Sequence, residues 1–125
     1  MPATDTTRVL IIDDEPQIAK SMKRILRDYE CTLVSTGEAA LAAACSSDYD
    51  VIFCDLMMPG MSGIDVHSAL AAHSPGAEEK IVFMSGGAYT ERGQQFLSQV
   101  DNPRLNKPFN IEEVRQIVAR CVHKP

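Results

Sequence analysis

The chain has 125 residues, of which 45% are hydrophobic and 23% are charged, and its formal net charge is −5. These values fit one globular domain with a single core. The acidic balance argues against direct binding of nucleic acid or of anionic membrane surfaces, because no excess of lysine and arginine exists to meet phosphate groups. No apolar run approaches the roughly 20 residues that span a bilayer, so we expect no membrane insertion by this chain.

Residues 1–7 are polar and lack the hydrophobic stretch of a signal peptide. We interpret them as a flexible lead-in to one domain at residues 8–123. The four cysteines form no C-x-x-C pair, which favours reduced core thiols in a cytoplasmic protein over a zinc site. They are Cys31, Cys45, Cys54 and Cys121.

Five apolar runs predict strands, and four of them are continuously apolar rather than alternating. The runs are residues 9–12, 31–34, 51–54, 81–84 and a weaker one around 104–105. Continuous apolar runs are typical of parallel strands that helices cover on both faces.

Helix-start patterns follow these runs, and a shorter polar helix is expected at residues 90–99. The patterns are Pro16 after Asp14, capping-box spacing of Ser35 with Glu38, Ser62 with Asp65, and Asn110 with Glu113. Five strand–helix units in series predict an α/β fold, a doubly wound five-stranded parallel sheet in three layers.

In such a fold, ligands bind beyond the carboxyl ends of the strands. Polar side chains stand at four of these ends: Asp13, Asp14 and Glu15 after the first strand, Asp55 ending the third, Ser85 ending the fourth, and Lys107 after the fifth. Crowded carboxylates repel one another, and a divalent cation offsets that repulsion. Hard oxygen ligands indicate Mg²⁺ or Mn²⁺.

A metal, an ammonium and a hydroxyl together suit the oxygens of a phosphoryl group. Asp55 is the single acid on the central strand and is therefore the candidate nucleophile, which would form an acyl phosphate. Taken singly, the signals have plainer interpretations: Asp14 as a helix cap, Ser85 as a turn residue and Lys107 as a solvated surface cation. Their conjunction on successive strand ends favours the phosphoryl site.

Four segments resemble the receiver domains of two-component signalling, and the resemblance covers nearly the whole chain. They are VLIIDDEP at 9–16, DLMMPGMSG at 55–63, MSG at 84–86 and KPF at 107–109. The resemblance implies a (βα)5 flavodoxin-like fold. It also implies phosphorylation of Asp55, with Mg²⁺ held directly by Asp14 and often through water by Asp13.

The resemblance further implies that the backbone carbonyl of Met57 contacts the metal. Ser85 would be the switch hydroxyl, Lys107 would bind the phosphoryl group, and the bond from Lys107 to Pro108 would be cis. The implied donor is a phosphohistidine on a histidine kinase or phosphotransfer domain. The chain would then be a phosphoacceptor switch with slow self-dephosphorylation, acting on an output domain or kinase core in cis. The segments RLNKPF at 104–109 and SGG at 85–87 resemble receivers of hybrid sensor histidine kinases more than those fused to DNA-binding regulators. The favoured parent is therefore a hybrid kinase with this domain at its C-terminus, and a free-standing regulator is the competing one.

Arg104 departs from the family pattern, which has Tyr or Phe three residues before the lysine. An inward swing of a buried aromatic is therefore not expected, and the fourth helix and its loop are predicted to carry the conformational change. Tyr89 is a less favoured substitute. Gly87 and Met57 occupy positions that affect water access to the phosphoryl group in the family, and their net effect stays open.

Three rival classes remain. A degenerate receiver would act only as a protein-interaction module, although every key side chain is present. A flavodoxin-like cofactor binder would want a glycine-rich turn after the first strand, where Asp13 and Asp14 would repel a phosphate. An aspartyl phosphatase would want a second acid two residues after Asp55, where Met57 stands.

Overall fold

The computed structural model describes residues 7–86 and 90–122, apart from the side chain of Val122. All five strands of the sheet are parallel, and they lie in the order β2-β1-β3-β4-β5. The strands are β1 (Arg8–Ile12), β2 (Glu30–Val34), β3 (Val51–Asp55), β4 (Ile81–Ser85) and β5 (Arg104–Asn106). The helices are α1 (Pro16–Ile25), α2 (Gly37–Ser46), α3 (Gly63–His73), α4 (Glu91–Gln99) and α5 (Ile111–Val122), with a short 3₁₀ turn at Ala77–Lys80.

Both faces of the sheet are buried, and each face has its own apolar cluster. One cluster joins the sheet to the helices α2, α3 and α4 through residues such as Leu10, Leu70 and Leu97. The other joins it to α1 and α5 through Met22 and Val118, among others. The predicted doubly wound α/β fold in three layers is confirmed, since continuous apolar strands can be buried only between two layers of helices.

Three of the four predicted helix starts hold, including Pro16 in the first turn of α1, and one does not. Ser62 with Asp65 forms a capping box on α3, and Asn110 exchanges hydrogen bonds with Glu113 at the start of α5. The predicted box of Ser35 with Glu38 is wrong. Thr36 is the N-cap of α2, and its hydroxyl accepts a hydrogen bond from the backbone N–H of Ala39. Among acceptable caps, the residue whose backbone is extended directly before the helix takes the position.

Other boundaries differ by a residue. Asp14 is not the cap of α1, because Glu15 occupies that position without a side-chain cap bond, and Pro16 follows at the first helical position. The strands β3 and β4 end on Asp55 and Ser85 as predicted, one residue beyond their apolar runs. None of the helices in the described ranges is long and apolar enough to cross a membrane.

Gly63 lets α3 begin against the end of β3. A Cβ atom at Gly63 would lie 2.7 Å from the carbonyl oxygen of Asp55 and 2.9 Å from the Cα of Leu56, and both are backbone atoms that cannot rotate away. The N–H of Gly63 donates to the carbonyl of Leu56 at 3.0 Å, so the helix is tied to the strand at this contact. The backbone that follows Asp55 is thereby held in place.

We expect Gly63→Ala to lower the free energy of unfolding by about 2 kcal/mol, because the new methyl group must push backbone apart in a packed region. Urea unfolding followed by circular dichroism measures the change. Gly86→Ala is the matched control, since no atom lies within 4 Å of a Cβ built there. Equal stability of the two variants would contradict this account.

Candidate functional site

Backbone pairing brings the carboxyl ends of the central strands together. Asp55 pairs with Met84 in the sheet, and the N–H of Leu56 donates to the carbonyl of Met84 at 2.9 Å. The N–H of Lys107 donates to the carbonyl of Ser85 at 2.7 Å, which places the residue after β5 beside the end of β4. The register of the parallel sheet therefore gathers residues that are far apart in the chain.

Two carboxylates at this edge are anchored in the same way. Oδ1 of Asp13 accepts a hydrogen bond from the N–H of Glu15 at 2.9 Å, and Oδ1 of Asp55 accepts one from the N–H of Met57 at 3.2 Å. Each acid thus binds the backbone two residues later, a local arrangement typical of aspartate at turns. The anchors leave the two Oδ2 atoms available to a shared partner.

The shared partner is the ammonium of Lys107. Its Nζ lies 3.0 Å from Oδ2 of Asp13, 3.3 Å from Oε1 of Glu15 and 3.4 Å from Oδ2 of Asp55. Asp13 and Asp55 are only 1% and 5% exposed, whereas the Glu15 side chain is mostly in solvent. One positive charge therefore serves three carboxylates, of which two are buried.

Burial and charge shift the ionisation of this group. Burial raises the pKa of Asp55 to about 6, and the neighbouring ammonium of Lys107 only partly offsets it. Burial by itself would lower the pKa of Lys107, but the contacts with Asp13, Asp55 and Glu15 outweigh it and raise that pKa. Lys107 is therefore a fixed cation, while Asp55 keeps its proton to a higher pH than an exposed aspartate does.

The donor set fits a hard divalent cation. Carboxylate oxygens of Asp13, Glu15 and Asp55 lie within 4.8 Å of one another. Oδ2 of Asp13 is buried and accepts no hydrogen bond among the described residues, so the ion pair with Lys107 is its main compensation. A buried oxygen in that condition, within a group of excess negative charge, is what a cation such as Mg²⁺ would relieve.

Of the residues expected to bind metal, Asp14 lies outside this group, and the role of the Met57 backbone carbonyl stays a prediction. The side chain of Asp14 is exposed and lies outside the set that Asp13, Glu15 and Asp55 form. Met57 is 42% exposed, and its N–H is the group that contacts Asp55. Sequence reasoning placed Glu15 at this edge but not among the metal ligands, although an acid two residues after Asp13 is a signal that both point to one side of an extended segment.

Ser85 and Lys107 frame the other side of Asp55. Ser85 is 4% exposed, and its hydroxyl donates to Oδ1 of Asn106 at 3.4 Å, a contact that the sequence did not indicate. The peptide bond from Lys107 to Pro108 is cis. Arg104 lies on the surface at the start of β5, away from this cluster, with its guanidinium at the end of α4. Gly87 and Tyr89 lie outside the described residues.

A cavity of about 790 Å³ lies at the opposite end of the sheet. Its lining includes Asp50, Lys80 and Pro103, which directly precede β3, β4 and β5. The acidic cluster at the carboxyl edge is therefore separate from this cavity.

We expect Asp55→Asn to stabilise the metal-free protein at neutral pH. The folded-state pKa of about 6 exceeds the usual value of 3.8, so the folded state holds this proton more tightly than the unfolded state does. Wild-type stability therefore falls as pH rises from about 4 through 6, whereas the asparagine variant has no proton to lose. The gain should be about 2 kcal/mol at pH 7.5 and near zero at pH 4.

Urea unfolding in a chelating buffer at both pH values checks this expectation. Asp28→Asn, which removes an exposed acid in the turn after α1, should show no comparable pH-dependent gain. A gain from Asp55→Asn that is as large at pH 4 as at pH 7.5 would rule out the ionisation of Asp55 as its cause.

Removing the ammonium of Lys107 should lower the stability of the folded protein. Lys107→Ala leaves the buried carboxylates of Asp13 and Asp55 without a counter-charge, so we expect the free energy of unfolding to fall by about 3 kcal/mol at pH 7.5. The double variant Asp13→Asn, Lys107→Ala should lose clearly less, because one uncompensated charge is gone. The two unfolding curves give the comparison, and an equal loss in both variants would contradict the shared-cation account.

Comparison with known proteins places this site in a family. The model of the response regulator receiver domain matches residues 9–119. The chain is 36% identical over 109 residues to the transcriptional regulatory protein KdpE of Mycobacterium tuberculosis, covering 86% of this chain and 47% of KdpE. It is 32% identical over 116 residues to ResD of Bacillus subtilis, covering 91% of this chain and 47% of ResD. The chain thus spans about half the length of these curated relatives.

Solved structures agree with the sequence relatives. The chemotaxis protein CheY4 of Vibrio cholerae superimposes with a TM-score of 0.81 at 28% identity, covering 93% of this chain and 98% of that one. The response regulator TrrA of Thermotoga maritima, solved in complex with Mg²⁺ and BeF, superimposes with a TM-score of 0.77 at 30% identity, covering 92% and 98%. With the family match over most of its length, this acidic edge on a five-stranded parallel sheet shows that the chain belongs to the response regulator receiver domains of two-component systems.

Proposed function

We propose that this domain accepts a phosphoryl group on Asp55 and thereby switches conformation. The observation that carries the proposal is the placement of Asp55, which is buried at the end of the central strand and 3.4 Å from the ammonium of Lys107. Two further acids stand beside it in the same group. A purely structural ion pair would need only one of these three carboxylates.

The proposed donor is a phosphohistidine on a histidine kinase or phosphotransfer domain. A carboxylate oxygen of Asp55 forms the new P–O bond while the P–N bond breaks. The electron pair of the P–N bond remains on the imidazole nitrogen. Asp55 must be ionised to attack, and its pKa of about 6 leaves it mostly ionised at neutral pH. Attack of water at phosphorus later releases inorganic phosphate and restores the carboxylate, so the domain is a switch rather than an enzyme with its own substrate.

The residues around Asp55 have complementary roles in this proposal. Lys107 offers a fixed positive charge to a phosphoryl oxygen, and the Ser85 hydroxyl at the neighbouring strand end can exchange its bond to Asn106 for another. Bound Mg²⁺ or Mn²⁺ would neutralise charge on the phosphoryl oxygens. The ligands that we propose are Asp13, Asp14, Asp55 and the backbone carbonyl of Met57, and the position of Glu15 adds a further acid to this set.

The consequence of phosphorylation would be read by another domain or protein. KdpE and ResD are named as transcriptional regulators and are about twice as long as the part that this chain matches. Their likeness favours an output domain in cis over the kinase core of a hybrid histidine kinase. We expect the domain to act in the cytoplasm, where such kinases present their phosphohistidine.

Incubation with acetyl phosphate and Mg²⁺ should add one phosphoryl group to the wild-type protein, as measured by intact-mass spectrometry. Asp55→Asn should gain none, and the exposed Asp28→Asn should behave as wild type. Chelation of the metal should slow the gain by at least roughly tenfold, because the excess negative charge then repels the donor.

A phosphorylated histidine kinase domain serves as the second donor. Absence of an adduct with either donor would overturn the switch and leave the domain as a protein-interaction module. An adduct that persists in Asp55→Asn would place the acceptor elsewhere.

A further inference from the structure

The carboxyl-terminal end of α4 lacks the usual stabilising features of a helix end. It has no basic residue in its last turn and no left-handed glycine after it, because the helix passes directly into the extended residue Val100. α2 ends in the same way, whereas α1 has two basic residues in its last turn, and α3 closes with the N–H of Ser74 donating to the carbonyl of Leu70. The last carbonyls of α4 therefore need an external partner.

Arg104 supplies that partner from β5. Its Nη2 donates to the carbonyl of Leu97 and lies 3.4 Å from the carbonyl of Val100. A cation at this end also meets the negative end of the helix dipole. The guanidinium therefore caps a helix that belongs to a different element of the fold.

The strand position of Arg104 explains why it reaches α4. Arg104 pairs with Phe83 in the sheet, while Leu105 points into the core on the opposite face, with α1 and α5. Phe83 packs edge-on against Phe96 of α4, with ring centroids 5.3 Å apart. Arg104 thus lies beside the contact between Phe83 of the sheet and Phe96 of α4.

The two ends of α4 are linked to different elements of the fold. Five residues, 86–90, connect Ser85 to the amino end of α4, and the carboxyl end is tied to Arg104. The amino end of α4 thus follows Ser85 in the chain, while a hydrogen bond from Arg104 holds the carboxyl end. The remaining polar tie among the described residues is the exposed ion pair of Arg92 with Asp65 at 3.3 Å, which contributes little.

We propose that Arg104 is a positioning residue that latches α4 in its unphosphorylated place, and that activation releases these carbonyl contacts. This inference rests on the proposed function, since it names what resists the switch at Asp55. Arg104 would take the role of the Tyr or Phe that the family pattern has at this position. Its guanidinium binds the end of α4 at the surface, so it needs no buried space for an inward swing. Removing it should favour the activated conformation.

The first test measures, without any ligand, how strongly Arg104 protects the last turn of α4. Hydrogen exchange of the amides in the last turn of α4 should quicken roughly fivefold in Arg104→Ala. Arg104→Lys should restore most of the protection, because it keeps a cation near the carbonyls. Arg115→Ala is the matched control, since Arg115 donates at 3.4 Å to the carbonyl of Ile25 at the end of α1. Unchanged exchange of α4 in Arg104→Ala would overturn the latch.

The second test measures its effect on switching. Arg104→Ala should bind beryllofluoride with Mg²⁺ about fivefold more tightly than wild type, because less free energy opposes the activated state. Arg104→Lys and Arg115→Ala should stay near the wild-type affinity. Fluorine resonances of the bound group report the titration, and Asp55→Asn sets the background. Equal affinities in wild type and Arg104→Ala would overturn the latch alone, whereas a wild type that binds no beryllofluoride would overturn the proposed function.

Discussion

A single ammonium, that of Lys107, balances the acidic edge of this domain. Two buried carboxylates and one exposed carboxylate share it, so the charges at the edge are never fully compensated by the protein itself. Burial raises the pKa of Asp55, which Lys107 only partly offsets, and a buried oxygen of Asp13 accepts no hydrogen bond among the described residues. This incomplete compensation favours a divalent cation and a phosphoryl group, because each would make new contacts with charges already in place.

The scaffold divides into a fixed part and a part that is held more lightly. Asp55 ends a strand with every residue buried, and Gly63 allows α3 to pack directly on the backbone after it. On the other side, α4 buries only Gly93 and Leu97 fully and depends on Arg104 for its carboxyl end. A rigidly held Asp55 beside a lightly held helix is the combination that the proposed switch needs, since a small change at Asp55 could then move an entire element.

Prediction from sequence succeeded where the local pattern has one physical solution. Continuous apolar strands required helices on both faces, and the capping boxes at Ser62 and Asn110 indicated where α3 and α5 begin. Prediction failed at α2, because Ser35 and Thr36 are both good caps and the path of the chain chose Thr36. The site was predicted as a set of residues, but the exposure of Asp14 and the inclusion of Glu15 depend on how the segment after β1 turns.

The amino-acid sequence by itself determined the class of fold, the edge of the sheet that carries the chemistry, and the types of side chain present there. These follow from hydrophobic period and from the residue after each strand, both of which are local quantities. The tertiary structure alone decided that Lys107 serves three acids, that burial raises the pKa of Asp55, and that Arg104 reaches the end of α4. Those facts depend on distances between residues far apart in the chain, which arise only when the strands pair and the helices pack.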